Sequence, residues 1–443
     1  MKITGFITEY NPFHNGHLYH AEKAKEITGA DYTVALMSGS HVQRGEPAVF
    51  DKYVRTKMAL QAGVDLVLEM PAAFSTASAM EFASYGVALF SSLGAVNSLV
   101  FGSECGELRP LLAAARLLSE ETPEFQQAIQ AKLKSGMTYP QARTEALLES
   151  ISNEYEGRMH SDSMQVSDSA RFPDSIRKDE LKQLLLFPNN ILGIEYLRAG
   201  LALHSPLEFH TIRRKGSGYH DAVLPENNFP SASAIRSALA RFQDAAGSSN
   251  ITAASGSNTA PRLCSSIPAA CIDTLTGEIP IFPNDYSLLL QDRILNSCLD
   301  DIADLNDELA SRLKKTAPWP ASFEERIQAL KSRQFTYTRV SRVLLHLVLG
   351  IHNEEIALWK SEGYASYARI LGFRKESSSL LKELKKHTSI PFITKVADAP
   401  KQLSGSSLAM LEQEIRVSHL YQSVKVQKGG AFRNEYMEGV III

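Results

Sequence analysis

The sequence predicts an α/β protein, with a parallel β-sheet and right-handed helical crossovers in its first half and a mainly α-helical carboxyl half. Three features carry this expectation. Short apolar runs, among them Asp31–Met37, Asp65–Met70 and Ser98–Gly102, alternate with helical stretches. The loops after these runs (Asn11 to His17, Gly39 to Gly45, and Gly102-Ser103-Glu104) gather polar residues where a parallel sheet collects its ligands. Beyond residue 262, apolar residues recur at spacings of three and four, which is the helical period.

Taken in order, Ile3 to Ile7 is a buried first strand. Pro12 ends it by removing a backbone donor, Gly16 allows close approach of a ligand, and Leu18 to Lys25 is helical. Asp31–Met37 is a second strand closed by Ser38-Gly39-Ser40, and Asp51 to Ala62 a helix ended by Gly63. Asp65 to Pro71 is a third strand, Ala77 to Leu93 a helix ended by Gly94, and Ser98–Gly102 a fourth strand. A helical and polar insertion covers about 109–180, with helices at Leu111 to Ser119 and Phe125 to Lys134 and a loose excursion from Ser150 to Lys178. Pro188 opens a helix, Leu207 to Arg213 is a fifth strand, and Ser231 caps a further helix. Asp244 to Pro261, rich in Gly, Ser and Ala without periodicity, reads as a flexible linker. Helices follow at Leu288 to Leu299, Phe323 to Lys331, Thr338 to Leu349 and Ser377 to Lys386. The division is therefore 1–243, a linker at 244–261, and 262–443, and it suggests that activities on the two sides are separable.

A chain of 443 residues exceeds what one ordinary core supports. No apolar run reaches bilayer length, and Met1-Lys2-Ile3 leads straight into a strand, so a cytoplasmic protein without a membrane partner is expected. Cys105, Cys264, Cys271 and Cys298 fit neither a disulfide framework nor a metal site, and no metal ligand is assigned. A net charge of -3 excludes a globally basic nucleic-acid binder but leaves local patches open.

His14-Asn15-Gly16-His17 resembles the H-x-G-H box of the nucleotidyltransferase and class I synthetase superfamily. Together with Asn11-Pro12-Phe13, Gly39 to Pro47, Gly102-Ser103-Glu104, Pro188 to Gly193 and Gly216 to Asp221, it resembles the bacterial tRNA(Met) cytidine acetate ligase family. The resemblance implies a Rossmann-like nucleotidyltransferase domain and an ATP site. That site would comprise Ile7, Thr8, Glu9, Tyr10, Asn11, Pro12, Phe13, His14, Asn15, Gly16, His17, Leu18, Tyr19 and His20, with Gly102, Asn189 and Arg214. It also implies Mg2+ on the phosphates, acetate as acyl donor, and elongator tRNA(Met) as acceptor, its wobble cytidine becoming N4-acetylcytidine.

The residues themselves support parts of this. His14 and His17, three apart before a helix N-terminus, can hydrogen-bond phosphates and stabilise departing pyrophosphate; the plain alternative is two capping histidines. Asn189 at a helix start can bond ribose or base, and Arg214 carries a permanent charge, although Arg213 competes for that role. Ser231, Ser233 and Arg236 resemble a second phosphate signature, and Gly102 leaves room for the nucleotide. Arg44 suits phosphate or tRNA, or merely a turn.

In the carboxyl half, Arg312, Lys314, Lys315, Arg326, Lys331, Arg333, Arg339 and Arg342 interleave with Trp319, Phe335 and Tyr337. A second cluster runs Arg369, Arg374, Lys375, Lys382, Lys385, Lys386. Arg339, Arg342, Lys385 and Lys386 are candidate tRNA contacts; the plain alternative is a solvated face. Two other functions fit less of the chain. One is a nucleotidyltransferase acting on a small phosphorylated acceptor, the other a non-enzymatic RNA-binding factor with a relict nucleotide fold.

Overall fold

The structure, a computed structural model, describes residues 1–119, 123–137, 141–149, 178–214, 231–246 and 263–443. The motif at Gly216 to Asp221, nearly all of the polar excursion and most of the linker lie outside them. Asp244 to Ala246, expected in the linker, instead complete the Ala232–Ala246 helix.

Ten strands are described: β1 (Ile3–Thr8), β2 (Tyr32–Ser38), β3 (His41–Val42), β4 (Glu46–Pro47), β5 (Leu66–Met70), β6 (Ser98–Ser103), β7 (Glu208–Arg213), β8 (Ala368–Phe373), β9 (Phe392–Ile393) and β10 (Ile441–Ile442). The main sheet runs β10-β8-β5-β2-β1-β6-β7, with β9 also on β8. All five strands expected from the first half are present and mutually parallel. Because the chain winds outward from β1 to β2 and β5 and then returns to β6 on the other side, the order reverses between β1 and β6. That reversal opens a crevice at their carboxyl ends.

Both faces are buried, and alternate residues serve different faces. Phe6, Ala35, Met37, Val67 and Val100 join one core with Ala21 and Ala24, Tyr53 and Met58, and Ile235 and Leu239. Val34, Leu36, Leu68, Leu99 and Phe101 join the other, with Phe82, Leu89 and Phe90 and with Ile194 and Leu197. This double burial is why the strands read as continuous apolar runs.

The carboxyl half is mainly helical, as expected, but it also supplies β8, β9 and β10. β8 lies antiparallel against β5, with Leu66 opposite Phe373 and Glu69 opposite Arg369. At that seam Lys52 Nζ contacts Glu69 (2.6 Å) and Glu435 (2.9 Å), and Arg369 contacts Glu69 (2.7 Å) and Glu435. Arg369 is thus a buried ion-pair member and not part of a solvent-facing basic cluster. Burial pushes the Glu414 carboxyl well above the usual carboxylate range, and neighbouring Glu69 adds to it, while Glu414 accepts the Ala72 N–H at 2.6 Å. Two cations, Lys52 and Arg369, thus meet two carboxylates, Glu69 and Glu435, in close ion pairs.

Candidate active site

β1 ends at the crevice, and the chain turns through Tyr10, whose φ is +47°, into His14, the N-cap of the Asn15–Thr28 helix. His14 Nδ1 accepts the Gly16 N–H at 3.0 Å, and His17 Nδ1 accepts the His14 N–H at 3.3 Å. The two imidazoles stack, with centroids 3.8 Å apart and an interplanar angle of 27°. Each Nδ1 being an acceptor, each neutral ring carries its proton on Nε2, so the capping duty leaves both rings with a donor for an anion. Capping and phosphate binding are therefore compatible uses of the same pair.

Charge around the pair is positive. Burial first, then Arg214 and Arg236, hold the His14 imidazole down at about 3; burial and then Arg214 hold His20 at about 4, and His17 also lies well below its ordinary value. At neutral pH the histidines are uncharged donors, and Arg214 and Arg236 supply the charge. Two outcomes follow for the free protein. Its kcat/KM for ATP should show no histidine inflection between pH 6 and 8. Its stability should fall on acidification from about pH 6.5, because the unfolded histidines bind protons that the folded ones refuse until about pH 4 or below. An ATP profile bending near pH 6.5, or thermal melts flat from pH 7 to 5, would contradict this.

Arg214 reaches Asn189 Oδ1 at 3.4 Å, across the carboxyl ends of β6 and β7. Arg213 lies toward Gly106, whose added Cβ would stand 2.4 Å from Arg213 Cβ. Arg214 is therefore the member of the pair beside the histidines. Gly102 keeps the space between Arg214 and His20 open, since a Cβ there would meet Arg214 Cγ at 3.3 Å and His20 Cδ2 at 3.9 Å. Arg214→Ala should raise the apparent ATP constant roughly tenfold, as for loss of one charged hydrogen bond, with Arg213→Ala near normal. Steady-state titration of ATP checks it.

On the opposite wall, Ser231 Oγ accepts the Ala234 N–H at 3.1 Å and caps its helix. Arg236 donates to the Asn11 carbonyl at 2.9 Å and to Ser233 Oγ at 3.3 Å. The candidate phosphate residues thus converge on the histidine loop. Arg44, in the turn joining β3 and β4, lies among Glu46 and Tyr337, and Glu46 in turn faces Arg236. Gly45 packs on the helix Tyr337–Leu349: its carbonyl accepts Ser341 Oγ–H at 2.8 Å, and a Cβ would stand 2.3 Å from the Arg342 backbone nitrogen. Arg339 and Arg342 belong to that helix, although Arg342 is paired with Asp304 at 3.3 Å.

Lys385 and Lys386 are elsewhere. Their helix, Ser378–His387, ends against Ser92, the last residue of the Ala79–Ser92 helix, and Gly94, in the loop that leads into β6, so they lie at the amino edge of the sheet and the histidines at the carboxyl edge.

Two residues have positioning roles that the sequence does not assign: Glu104, read there only as part of the Gly102-Ser103-Glu104 motif, and Arg55. Glu104 accepts from Asn189 Nδ2 (2.6 Å) and from the backbone N–H groups of Asn189 (3.3 Å) and Asn190 (2.8 Å), while Asn190 Oδ1 accepts from the Glu104 N–H (2.9 Å). This reciprocal cap fixes the Pro188–Ala202 helix, whose own N-cap, Phe187, offers no side-chain acceptor. Arg55, fully buried, donates to the carbonyls of Phe50, Glu9, Ser38 and Gly39, tying the ends of β1 and β2 together. The motif at the end of β6 marks the place of Glu104 but not its bonds, and a cation among the buried residues of the Lys52–Gln61 helix is the signal Arg55 leaves.

A model of the family described as HIGH Nucleotidyl Transferase matches residues 1–434. The chain is 34% identical over 454 aligned residues, covering 100% of both proteins, to the tRNA(Met) cytidine acetate ligase of Acetivibrio thermocellus. It is 36% identical over 423, covering 95% of each, to that of a Thermoanaerobacter species. Among solved structures it superimposes on apo Thermotoga maritima TmcAL with a TM-score of 0.85 at 29% identity, over 100% of both chains. The same protein bound with alpha-thio ATP gives 0.83 at 29%, over 100% and 99%.

Proposed function

The chain belongs to the HIGH nucleotidyl transferases and, within them, to the tRNA(Met) cytidine acetate ligase family, and on that premise we propose that it is an ATP-dependent ligase acetylating the wobble cytidine of elongator tRNA(Met). In the first step an acetate oxygen attacks the α-phosphorus of ATP, the bond to the bridging oxygen breaks, and pyrophosphate leaves with its electron pair, giving acetyl-adenylate. In the second, N4 of cytidine attacks the acetyl carbon, AMP departs, and the amine loses a proton to give N4-acetylcytidine.

The observation that carries this reading is the stacked pair of neutral imidazoles at a helix N-terminus, each with Nε2–H as its remaining donor, between Arg214 and Arg236. Such a group holds a polyphosphate and stabilises the charge on departing pyrophosphate without a covalent enzyme intermediate. Ile7 to His20, Gly102, Asn189 and Arg214 would line the ATP site, and Ser231, Ser233 and Arg236 would meet its phosphates. Among the described residues no cluster of three or more His, Cys, Asp or Glu side chains could hold a metal. Mg2+, which favours oxygen ligands and retains water, would therefore enter on the ATP phosphates and neutralise part of their charge.

In this proposal 1–243 carries the nucleotide chemistry, and RNA reaches it over the Gly45 turn, past Arg44, Arg339 and Arg342. Lys385 and Lys386, at the far edge of the sheet, would touch only a distant part of a large RNA. No helix among the described residues is long and apolar enough to cross a membrane, and the proposed place of action is the cytoplasm, where tRNA is modified. Labelled pyrophosphate should exchange into ATP only when acetate is present. Exchange indifferent to acetate would remove acetate as the activated acid.

A further inference from the structure

The chain has two tryptophans, and they could hardly differ more in setting: Trp359 is 2% exposed and Trp319 is 72% exposed. A single exposed apolar side chain is ordinary; what sets Trp319 apart is how its turn is held and what surrounds it. The turn that presents Trp319 is held firmly. Arg326, itself 2% exposed, donates to the carbonyls of Thr316 (2.5 Å) and Trp319 (2.6 Å) and to Gln291 Oε1 (2.8 Å). Gln291 Nε2 returns a hydrogen bond to the Ala317 carbonyl at 2.9 Å. Pro318 and Pro320 restrict the backbone on either side of the indole. A buried guanidinium spent on three acceptors thus fixes a turn whose tip is a bare aromatic ring, the preorganisation expected of a contact residue.

Its surroundings are basic. Lys314 and Lys315 occupy the last turn of the Asp307–Thr316 helix immediately before it, are exposed, and form no ion pair among the described residues. Asp300 and Asp307 share a shallow cleft with these lysines without pairing to either. Glu308 is occupied by Arg312 at 2.7 Å. Of the three aromatics interleaved with basic residues in this region, Phe335 is buried beneath the guanidiniums of Arg312 and Arg339, and Tyr337 is half-buried beside Arg44 and Glu46. Only Trp319 offers an open ring face.

We propose that Trp319 is a stacking platform for an unpaired base of the RNA substrate, with Lys314 and Lys315 holding the flanking phosphates. An open indole beside two unpaired ammonium groups suits an RNA loop, where unstacked bases and a dense phosphate charge occur together. The assignment rests on the reading of the protein as a tRNA ligase.

The two tryptophans make the test direct. Titrating the full-length protein with elongator tRNA(Met) should quench its tryptophan fluorescence. In Trp319→Phe, where only buried Trp359 emits, the quench should vanish while affinity is largely kept. Trp319→Ala should weaken tRNA binding roughly tenfold, as for loss of one base stack, and raise the KM for tRNA. Lys314→Gln with Lys315→Gln should lower the salt dependence of binding by about two phosphate contacts. Acetate-dependent pyrophosphate exchange, which needs no RNA, reports whether each variant is folded and whether the ligase reading itself holds. A quench that persists in Trp319→Phe, or unchanged tRNA affinity in Trp319→Ala with exchange intact, overturns the proposal. So does a wild-type dimer that Trp319→Ala turns into monomer without altering tRNA affinity, which would make the ring a self-association contact.

Discussion

His14→Ala or His17→Ala is expected to slow acetate-dependent pyrophosphate release by roughly two to three orders of magnitude, the usual effect of losing one pre-organised donor to developing charge. Because His14 also caps its helix through the Gly16 N–H, alanine removes a structural bond along with the donor, at a cost of about 1 kcal/mol. His14→Asn separates the two roles. Asparagine is a good N-cap but cannot present a donor where the imidazole Nε2–H lies, so this variant should melt near the wild type and still be slow. Near-normal release from His14→Asn and His17→Ala would leave the pair as capping residues only.

The second large effect concerns stability. Lys52, Glu69, Arg369 and Glu435 are all buried, and the two carboxylates share the two cations. Burial alone would raise the Glu435 carboxyl, but Lys52 and Arg369 outweigh it and hold it below the usual range. Arg369→Met removes one cation and leaves the carboxylates under-compensated, so urea unfolding should show a loss of about 3–5 kcal/mol. A loss below about 1 kcal/mol, the level of an exposed pair, would contradict the burial described here. The same seam decides what truncation does. The linker suggests that nucleotide chemistry and RNA binding separate at residue 243, yet a fragment ending there lacks Arg369, Glu414 and Glu435 and bares the edge of β5. Such a fragment should fail to fold stably, as cooperative unfolding would reveal.

The first five parallel strands were legible because burial on both faces writes each one as an apolar run. The position of the histidine box was legible because Pro12 and Gly16 mark the turn between strand and helix, and the spacing of three puts both imidazoles at the helix start, where they stack; its phosphate-binding role remains the proposal. β8 was not: its run Ala368–Phe373 is interrupted by Arg369, a charge that reads as surface until Glu69, 300 residues away along the chain, and Glu435, 66 residues away, are brought to it. Arg326 misled in the same way, since two of its three acceptors are backbone carbonyls, which leave no mark on the sequence, and the third, Gln291, is 35 residues away. Arg213 and Arg214 are indistinguishable by residue type. The alternation of β7 at its end places one toward Gly106 and the other toward Asn189.

As a tRNA ligase, the protein would join acetate activation to tRNA within one chain. Incubating the protein with ATP, labelled acetate and bulk tRNA tests it most directly. The expected result is label in elongator tRNA(Met), released by nuclease digestion as N4-acetylcytidine, with one AMP formed per acetyl group. AMP transferred to a small phosphorylated acceptor, or tRNA bound without any turnover of ATP, would contradict it.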